Sequence, residues 1–193
     1  MSRLLLASGS PRRRALLGRL GLPFEVRATS ADETPRPEES PRALVERLAL
    51  EKARLVAEAG AVALGADTVV AVDGDILGKP ADDADARRML ESLSGREHEV
   101  WTGVALVAVD TAGARRESVR AERSIVAFRA LTAEEIAIYI ASGEPHDKAG
   151  AYAIQGGAAG FVAALRGEET NVVGLPLPLV AAMLDEAGFR PRP

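Results

Sequence analysis

The run from Ala61 to Val72 constrains the fold of this chain more than any other segment. It is apolar sequence broken only at Gly65-Ala66-Asp67-Thr68, and it closes on Asp73-Gly74. Such a run, bounded by a turn dipeptide, reads as a strand. Asp73-Gly74 is a good two-residue hairpin turn, so the chain should return through Ile76-Leu77. A strand that hairpins back in mid-chain already argues against a purely parallel sheet.

Around it, strand and helix signals alternate. Leu4 to Ala7 is a short apolar strand. Ser10 fits a helix N-cap and Pro11 the first helical position, predicting a helix from Arg12 to Leu20 that stops at Gly21. Pro23 to Ala28 reads as a strand, followed by an acidic loop with Asp32 and Glu33. Ser40-Pro41 repeats the capping pattern and opens a helix to about Ala59, with Leu44, Leu48, Leu55 and Val56 on one face. A helix over Asp83 to Leu93 is followed by two long alternating segments, Glu97 to Val109 and Ser118 to Ala130, expected as an antiparallel pair. Thr132-Ala133-Glu134-Glu135 is a capping box for a helix to Ser142, with Gly143 as its stop. A last strand or short helix precedes Gly174, and a helix covers Leu177 to Glu186. The expectation is an α/β fold with a mixed, elongated central sheet flanked by helices, its two halves forming two lobes with a cleft. At 193 residues, without a repeat or linker, residues 1–193 read as one domain.

Composition narrows the function. The net charge of −4 argues against a general nucleic-acid binder. The absence of cysteine excludes disulfides and Cys-based zinc or redox chemistry. His98 and His146 are the only histidines, so any metal should be a hard, carboxylate-bound cation such as Mg²⁺ or Mn²⁺. The first twenty residues lack a signal-peptide pattern and no run matches a membrane span, which makes the cytoplasm the default location.

Against that acidic background, Ser8 to Arg14 (Ser-Gly-Ser-Pro-Arg-Arg-Arg) stands out. Two hydroxyls and three arginines gather where a helix N-terminus leaves its first N–H groups unpaired, which is a phosphate-binding corner. The plainer alternative is a capped surface helix with solvated arginines. The segment is neither a Walker loop nor a GxGxxG. Of 24 basic residues only Lys52, Lys79 and Lys148 are lysine. Where arginine serves nearly everywhere, a retained lysine marks a place for a compact, flexible ammonium. Lys79 (Gly78-Lys79-Pro80) and Lys148 (Asp147-Lys148-Ala149-Gly150) fall in loops. Lys52 falls on a helix, where an ordinary exposed lysine is the alternative.

Asp67 interrupts an apolar strand, so its carboxylate must be hydrogen-bonded, metal-bound or at the strand's open end; capping a nearby turn is the competing role. Glu33 can converge with Asp67 on one metal, or be a solvated loop acid. Together these residues describe a triphosphate site. Arg12, Arg13, Lys52 and Lys79 would neutralise phosphates, and one or two carboxylates would hold Mg²⁺ and orient a water. No Cys, His pair or Ser-His-Asp order points to a covalent route.

At this point the chain resembles the Maf family. The resemblance rests on Ala7-Ser8-Gly9-Ser10-Pro11-Arg12-Arg13, Glu51-Lys52-Ala53, Gly65-Ala66-Asp67-Thr68-Val69-Val70, Gly78-Lys79-Pro80, Ser142-Gly143-Glu144-Pro145, Asp147-Lys148-Ala149-Gly150-Ala151-Tyr152, Ile154-Gln155-Gly156 and Val173-Gly174-Leu175-Pro176. It covers nearly the whole chain, in order. It implies a nucleoside triphosphate pyrophosphatase, first named for an effect on septum formation, that releases a nucleoside monophosphate and pyrophosphate with a divalent metal. It also implies a fold similar to inosine triphosphate pyrophosphatases and a homodimer. The family's catalytic acid falls on Asp67, its specificity positions on Arg13, Thr68 and Gln155, and its phosphate and metal contacts on Ser8, Arg12, Glu33, Lys52 and Lys79. Glu33 and Asp67 are the expected metal ligands. The Tyr152-Ala153-Ile154-Gln155-Gly156 form is similar to the branch acting on dTTP and UTP. The Gln155 amide offers one donor and one acceptor, matching the carbonyl and imide N–H of uracil or thymine; an amide can flip to suit cytosine, and a donor-only Arg13 near a carbonyl oxygen would fix the choice by opposing cytosine's amino group. Housekeeping removal of modified pyrimidine nucleotides, or nucleotide binding in a regulator of cell division, are the rival readings.

Overall fold

A computed structural model describes residues 3–189. The chain divides into two compact units, one of residues 1–67, 102–122 and 174–193, the other of residues 68–101 and 123–173. The boundary passes between Asp67 and Thr68.

In the first unit, β1 (Arg3–Ala7) pairs in parallel with β2 (Glu25–Val26) and with β3 (Ala61–Val72). Leu4, Leu5 and Leu6 are buried, as the apolar pattern requires. α1 (Pro11–Gly18) starts from Ser10, whose Oγ accepts from Arg13 N at 3.4 Å. Its last carbonyls are met by turn bonds from Arg19, Leu20 and Gly21, so regular helix ends two residues before the expected Leu20. α2 (Pro41–Val56) is capped by Ser40 and ends three residues short of the expected Ala59. β2 is far shorter than Pro23 to Ala28: both its residues are exposed, so no buried face rewards a longer ladder. The Gly65–Thr68 interruption leaves no break, because β3 runs through it. α6 (Leu177–Glu186) has the expected bounds.

In the second unit, Asp73 and Gly74 both take positive φ, 53° and 89°, as a primed two-residue turn demands. They return the chain as β4 (Asp75–Leu77), antiparallel to β3 with Val72 opposite Asp75. α3 (Asp83–Leu93) is capped by Asp82. β5 (Glu97–Val109) and β6 (Arg115–Phe128) are the two alternating segments and lie side by side. α4 (Ala133–Ala141) carries the full Thr132/Glu135 capping box, and Gly143 ends it at φ 76°. The stretch read as a strand or a short helix holds both: β7 (Val162–Arg166), antiparallel to β6, and α5 (Glu169–Val173). Strand order is β2-β1-β3-β5-β6-β7, with β4 on β3. The fold is thus mixed α/β, a mixed central sheet flanked by helices.

The core of the second unit holds a polar residue among aromatics. His98 is 2% exposed, edge-on to Phe128 and Tyr152, with Nε2 2.9 Å from the Tyr152 hydroxyl and Nδ1 without a hydrogen-bond partner. Burial pushes its pKa down from 6.5 to about 4. The fold therefore disfavours imidazolium, whereas the unfolded chain takes up the proton near 6.5. Stability should fall as pH drops from about 6.5 to about 4, with this group contributing up to about 1.4 kcal/mol per pH unit. Urea midpoints across that range, compared with His98→Gln, check this. An equal acid slope in the variant would assign the loss to other groups.

Candidate functional site

The first unit assembles the site from three elements. After β1 the chain turns sharply: Ser8 N donates to Leu6 O at 3.0 Å, and Ser10 N donates to the buried Ser8 Oγ at 3.2 Å. Ser10 then caps α1, which sets Arg12 and Arg13 in its first turn, both half-buried. Arg13 Nε donates to Gly174 O at 2.8 Å. Burial lowers the Arg13 pKa; the Asp67 and Glu33 carboxylates oppose that, and the like charge of Arg12 adds to it. The guanidinium thus sits in the field of both acids. Ser8, Ser10, Arg14, Phe24 and Val26 also border an open hollow of about 520 Å³ whose lining includes neither carboxylate.

The second element is the contact of α2 with β3. A Cβ on Gly65 would lie 2.1 Å from Ala49 O and 2.7 Å from Ala53 N, so helix and strand meet backbone to backbone at this glycine. Asp67 is two residues along the same strand, hence on the same face as Gly65. Lys52 precedes Ala53 on the helix. The close approach delivers the Lys52 ammonium to Asp67, with Nζ to Oδ1 at 2.6 Å, and both residues are 6% exposed.

The third element is the loop from 27 to 40. Arg47 of α2 holds it, donating to both Glu39 carboxylate oxygens at 2.7 Å and to Thr34 O at 3.2 Å. That guanidinium pulls the Glu39 carboxyl down to about 2. The pinned loop lays Glu33 beside Lys52, with Oε1 2.6 Å from Nζ. Lys52 is therefore no ordinary exposed lysine; it is a buried ammonium between two carboxylates. A buried ion pair is a poor source of stability against an apolar replacement.

Lys52 Nζ meets Oδ1 of Asp67 and Oε1 of Glu33. No group of three or more His, Cys, Asp or Glu could hold a metal among the described residues. Two convergent carboxylates suit a hard cation that keeps waters and takes further oxygens from a phosphate substrate.

The second unit carries the remaining sequence candidates. Thr68 follows Asp67 on β3 and is half-buried; Lys79 is exposed in the loop after β4. Gly78 O accepts from Gly150 N at 2.9 Å, tying the Lys79 loop to the Lys148 loop. Lys148 Nζ is held by Glu144 O at 3.3 Å and by the Asp147 carboxylate. His146, of no evident role in the sequence, lies exposed with Nε2 3.2 Å from Asp83 Oδ1. Gln155 is exposed, and its Nε2 donates to Glu169 Oε1 at 2.8 Å.

The segment bearing Gln155 is fixed by residues to which the sequence alone assigned no role. Ala153 N donates to the Tyr139 hydroxyl at 3.0 Å, and Gly157 N donates to Glu144 Oε2 at 2.8 Å. Burial raises the Tyr139 pKa and the Glu144 carboxylate raises it further, keeping the phenol protonated. Glu144 was visible only as part of Ser142-Gly143-Glu144-Pro145, and nothing local to Tyr139 or Glu169 marked them.

The Maf-like protein family model matches residues 3–187. A dTTP/UTP pyrophosphatase of Symbiobacterium thermophilum is 52% identical over 98% of this chain and 96% of its own length. A dTTP/UTP pyrophosphatase of Anaeromyxobacter dehalogenans is 54% identical over 97% and 95%. Among solved structures, a HAM1 protein from Coxiella burnetii is similar over 96% of this chain and 100% of that one, at TM-score 0.48 and 17% identity.

Proposed function

This chain belongs to the Maf-like protein family, and from that premise we propose that it hydrolyses dTTP and UTP to the monophosphate and pyrophosphate. The observation that carries the proposal is near-full-length identity above 50% to relatives bearing that name, joined to a buried lysine between two carboxylates next to an arginine-rich helix N-terminus.

In this reading Ser8, Arg12, Lys52 and Lys79 bind the triphosphate, using a hydroxyl and compact or forked cations. Asp67, oriented through Oδ1 by Lys52, accepts the proton of the attacking water as it moves on the α-phosphorus. Arg13, Thr68 and Gln155 read the base. Glu33 and Asp67 would hold a divalent metal, which when bound supplies charge neutralisation on the phosphates. The cations stabilise the negative charge that builds on departing pyrophosphate. The same reading carries a homodimer, a cytoplasmic location and one functional domain spanning residues 1–193. No helix among the described residues is long and apolar enough to cross a membrane.

The test is pyrophosphate release from a panel of ribo- and deoxynucleoside triphosphates with Mg²⁺ or Mn²⁺. Release is expected from dTTP and UTP, to be lost on chelation and restored by added metal. No release from any unmodified triphosphate would overturn the proposal, leaving modified pyrimidine nucleotides or a binding role in cell division.

A further inference from the structure

We infer that Glu169 is a specificity-determining positioning residue: by holding the Gln155 amide nitrogen it fixes which way round that amide meets the base. This rests on the reading of Gln155 as a base contact and takes it further.

An unrestrained glutamine amide is a weak discriminator. Uracil and thymine present an N–H at position 3 and a carbonyl oxygen at position 4; cytosine presents a ring-nitrogen acceptor at 3 and an amino group at 4. The two edges are opposites, and rotating an amide by half a turn converts the complement of one into the complement of the other. For this amide to select uracil and thymine, something must prevent the turn.

The second unit supplies this restraint. The backbone around Gln155 is held on both sides by the Tyr139 hydroxyl and the Glu144 carboxylate. The start of α5, where Glu169 sits, is held as firmly. Ser124 Oγ donates to Glu168 O at 2.9 Å. Fully buried Asn171 donates through Nδ2 to Val100 O at 3.0 Å and to Ser124 Oγ at 2.9 Å. With both backbones fixed, the freedom left to the pair is in the side chains, which meet at 2.8 Å.

The chemistry of the pair then decides the amide's direction. An ionised carboxylate only accepts, so the amide must turn its NH₂ toward Glu169. One amide hydrogen goes to Glu169. Oε1 and the second hydrogen remain, in a fixed order, as an acceptor for N3–H and a donor for O4. Against the same order, cytosine sets acceptor against acceptor and amino hydrogen against amide hydrogen, a mismatch that leaves polar groups unsatisfied. The contact is charge-assisted, so it resists the turn more than a neutral hydrogen bond would.

The experiment compares kcat/KM for UTP and CTP, by pyrophosphate release with Mg²⁺, in the wild-type chain, Glu169→Gln and Gln155→Leu. Glu169→Gln keeps size but can accept or donate, so the Gln155 amide can turn. The UTP-to-CTP ratio should fall by about tenfold or more, chiefly through a gain on CTP, and Glu169→Ala should move it the same way. A general structural role would lower both substrates together and leave the ratio alone; that result, or an unchanged ratio, overturns the inference. Gln155→Leu separates the two layers. If it shifts the ratio while the Glu169 variants do not, Gln155 reads the base without the lock. If it leaves the ratio unchanged, the base-contact reading fails and the lock falls with it.

Discussion

Asp67→Asn should lower kcat for UTP by about 10³-fold while changing nucleotide affinity no more than a few-fold. The substitution is nearly isosteric in a buried position, so it preserves the packing where α2 meets β3. What it removes is a proton acceptor and one negative charge, and with them one of the two carboxylates that would hold the metal. The amide oxygen can still accept from Lys52 Nζ, and Glu33 remains on the same ammonium at 2.6 Å, so Lys52 is not left as an uncompensated buried charge. Binding draws on cations that the variant keeps. The effect should therefore lie on the chemical step. Single-turnover rates alongside binding of a non-hydrolysable UTP analogue measure the two separately. Turnover within tenfold of wild type would remove Asp67 from the proton-transfer role. A collapse of binding together with turnover would instead make it a structural ion pair.

How much of this site is legible in the chain depends on how local each determinant is. Ser10-Pro11, Ser40-Pro41 and Thr132 to Glu135 announce their helices because a cap is settled within three residues, and all three are present. The Asp73-Gly74 turn is local in the same way. The apolar residues in Pro23 to Ala28 suggest a ladder, whereas β2 is shorter, both of its residues being exposed. At the site, the scarcity of lysine singled out Lys52, and an acid in an apolar strand singled out Asp67. Their union was not legible, since it depends on a helix riding a strand at Gly65, and a glycine in sequence does not announce what lies above it. Gln155 could be named from its segment. Its partner Glu169 could not, because an exposed carboxylate fourteen residues away carries no periodic signal. The same holds for Tyr139 and Glu144, whose contacts to Ala153 and Gly157 arise where the end of α4 and the turn after it meet the Gln155 segment.

Gly65→Ala should destabilise the protein by about 3 kcal/mol or more and impair turnover in whatever fraction still folds. The added methyl would lie 2.1 Å from Ala49 O, 2.7 Å from Ala53 N and 3.1 Å from Ala53 Cβ. Backbone atoms of a regular helix cannot rotate aside as a side chain can, so α2 must lift as a body. It cannot lift freely, because the same helix rests on β5 at Gly103, where a Cβ would meet Val45 O at 2.1 Å. Gly103→Ala should accordingly cost a similar amount. The two variants should part in their effect on chemistry. Gly65 is two residues from Asp67 and faces the turn of α2 next to Lys52, so lifting the helix there draws the ammonium away from the carboxylate it meets at 2.6 Å. Gly18→Ala serves as the control: it lies in α1 with nothing within 4 Å of the added carbon, and should be neutral or stabilise by about 0.5–1 kcal/mol through helix propensity. Urea midpoints for the three variants, with kcat measured on the folded fraction, test the chain from packing to chemistry. If Gly65→Ala were as stable as Gly18→Ala, the close approach of helix and strand would not be what sets Lys52 on Asp67. If it were destabilised yet turned over normally, that contact would be structural and the placement of Lys52 would have another cause.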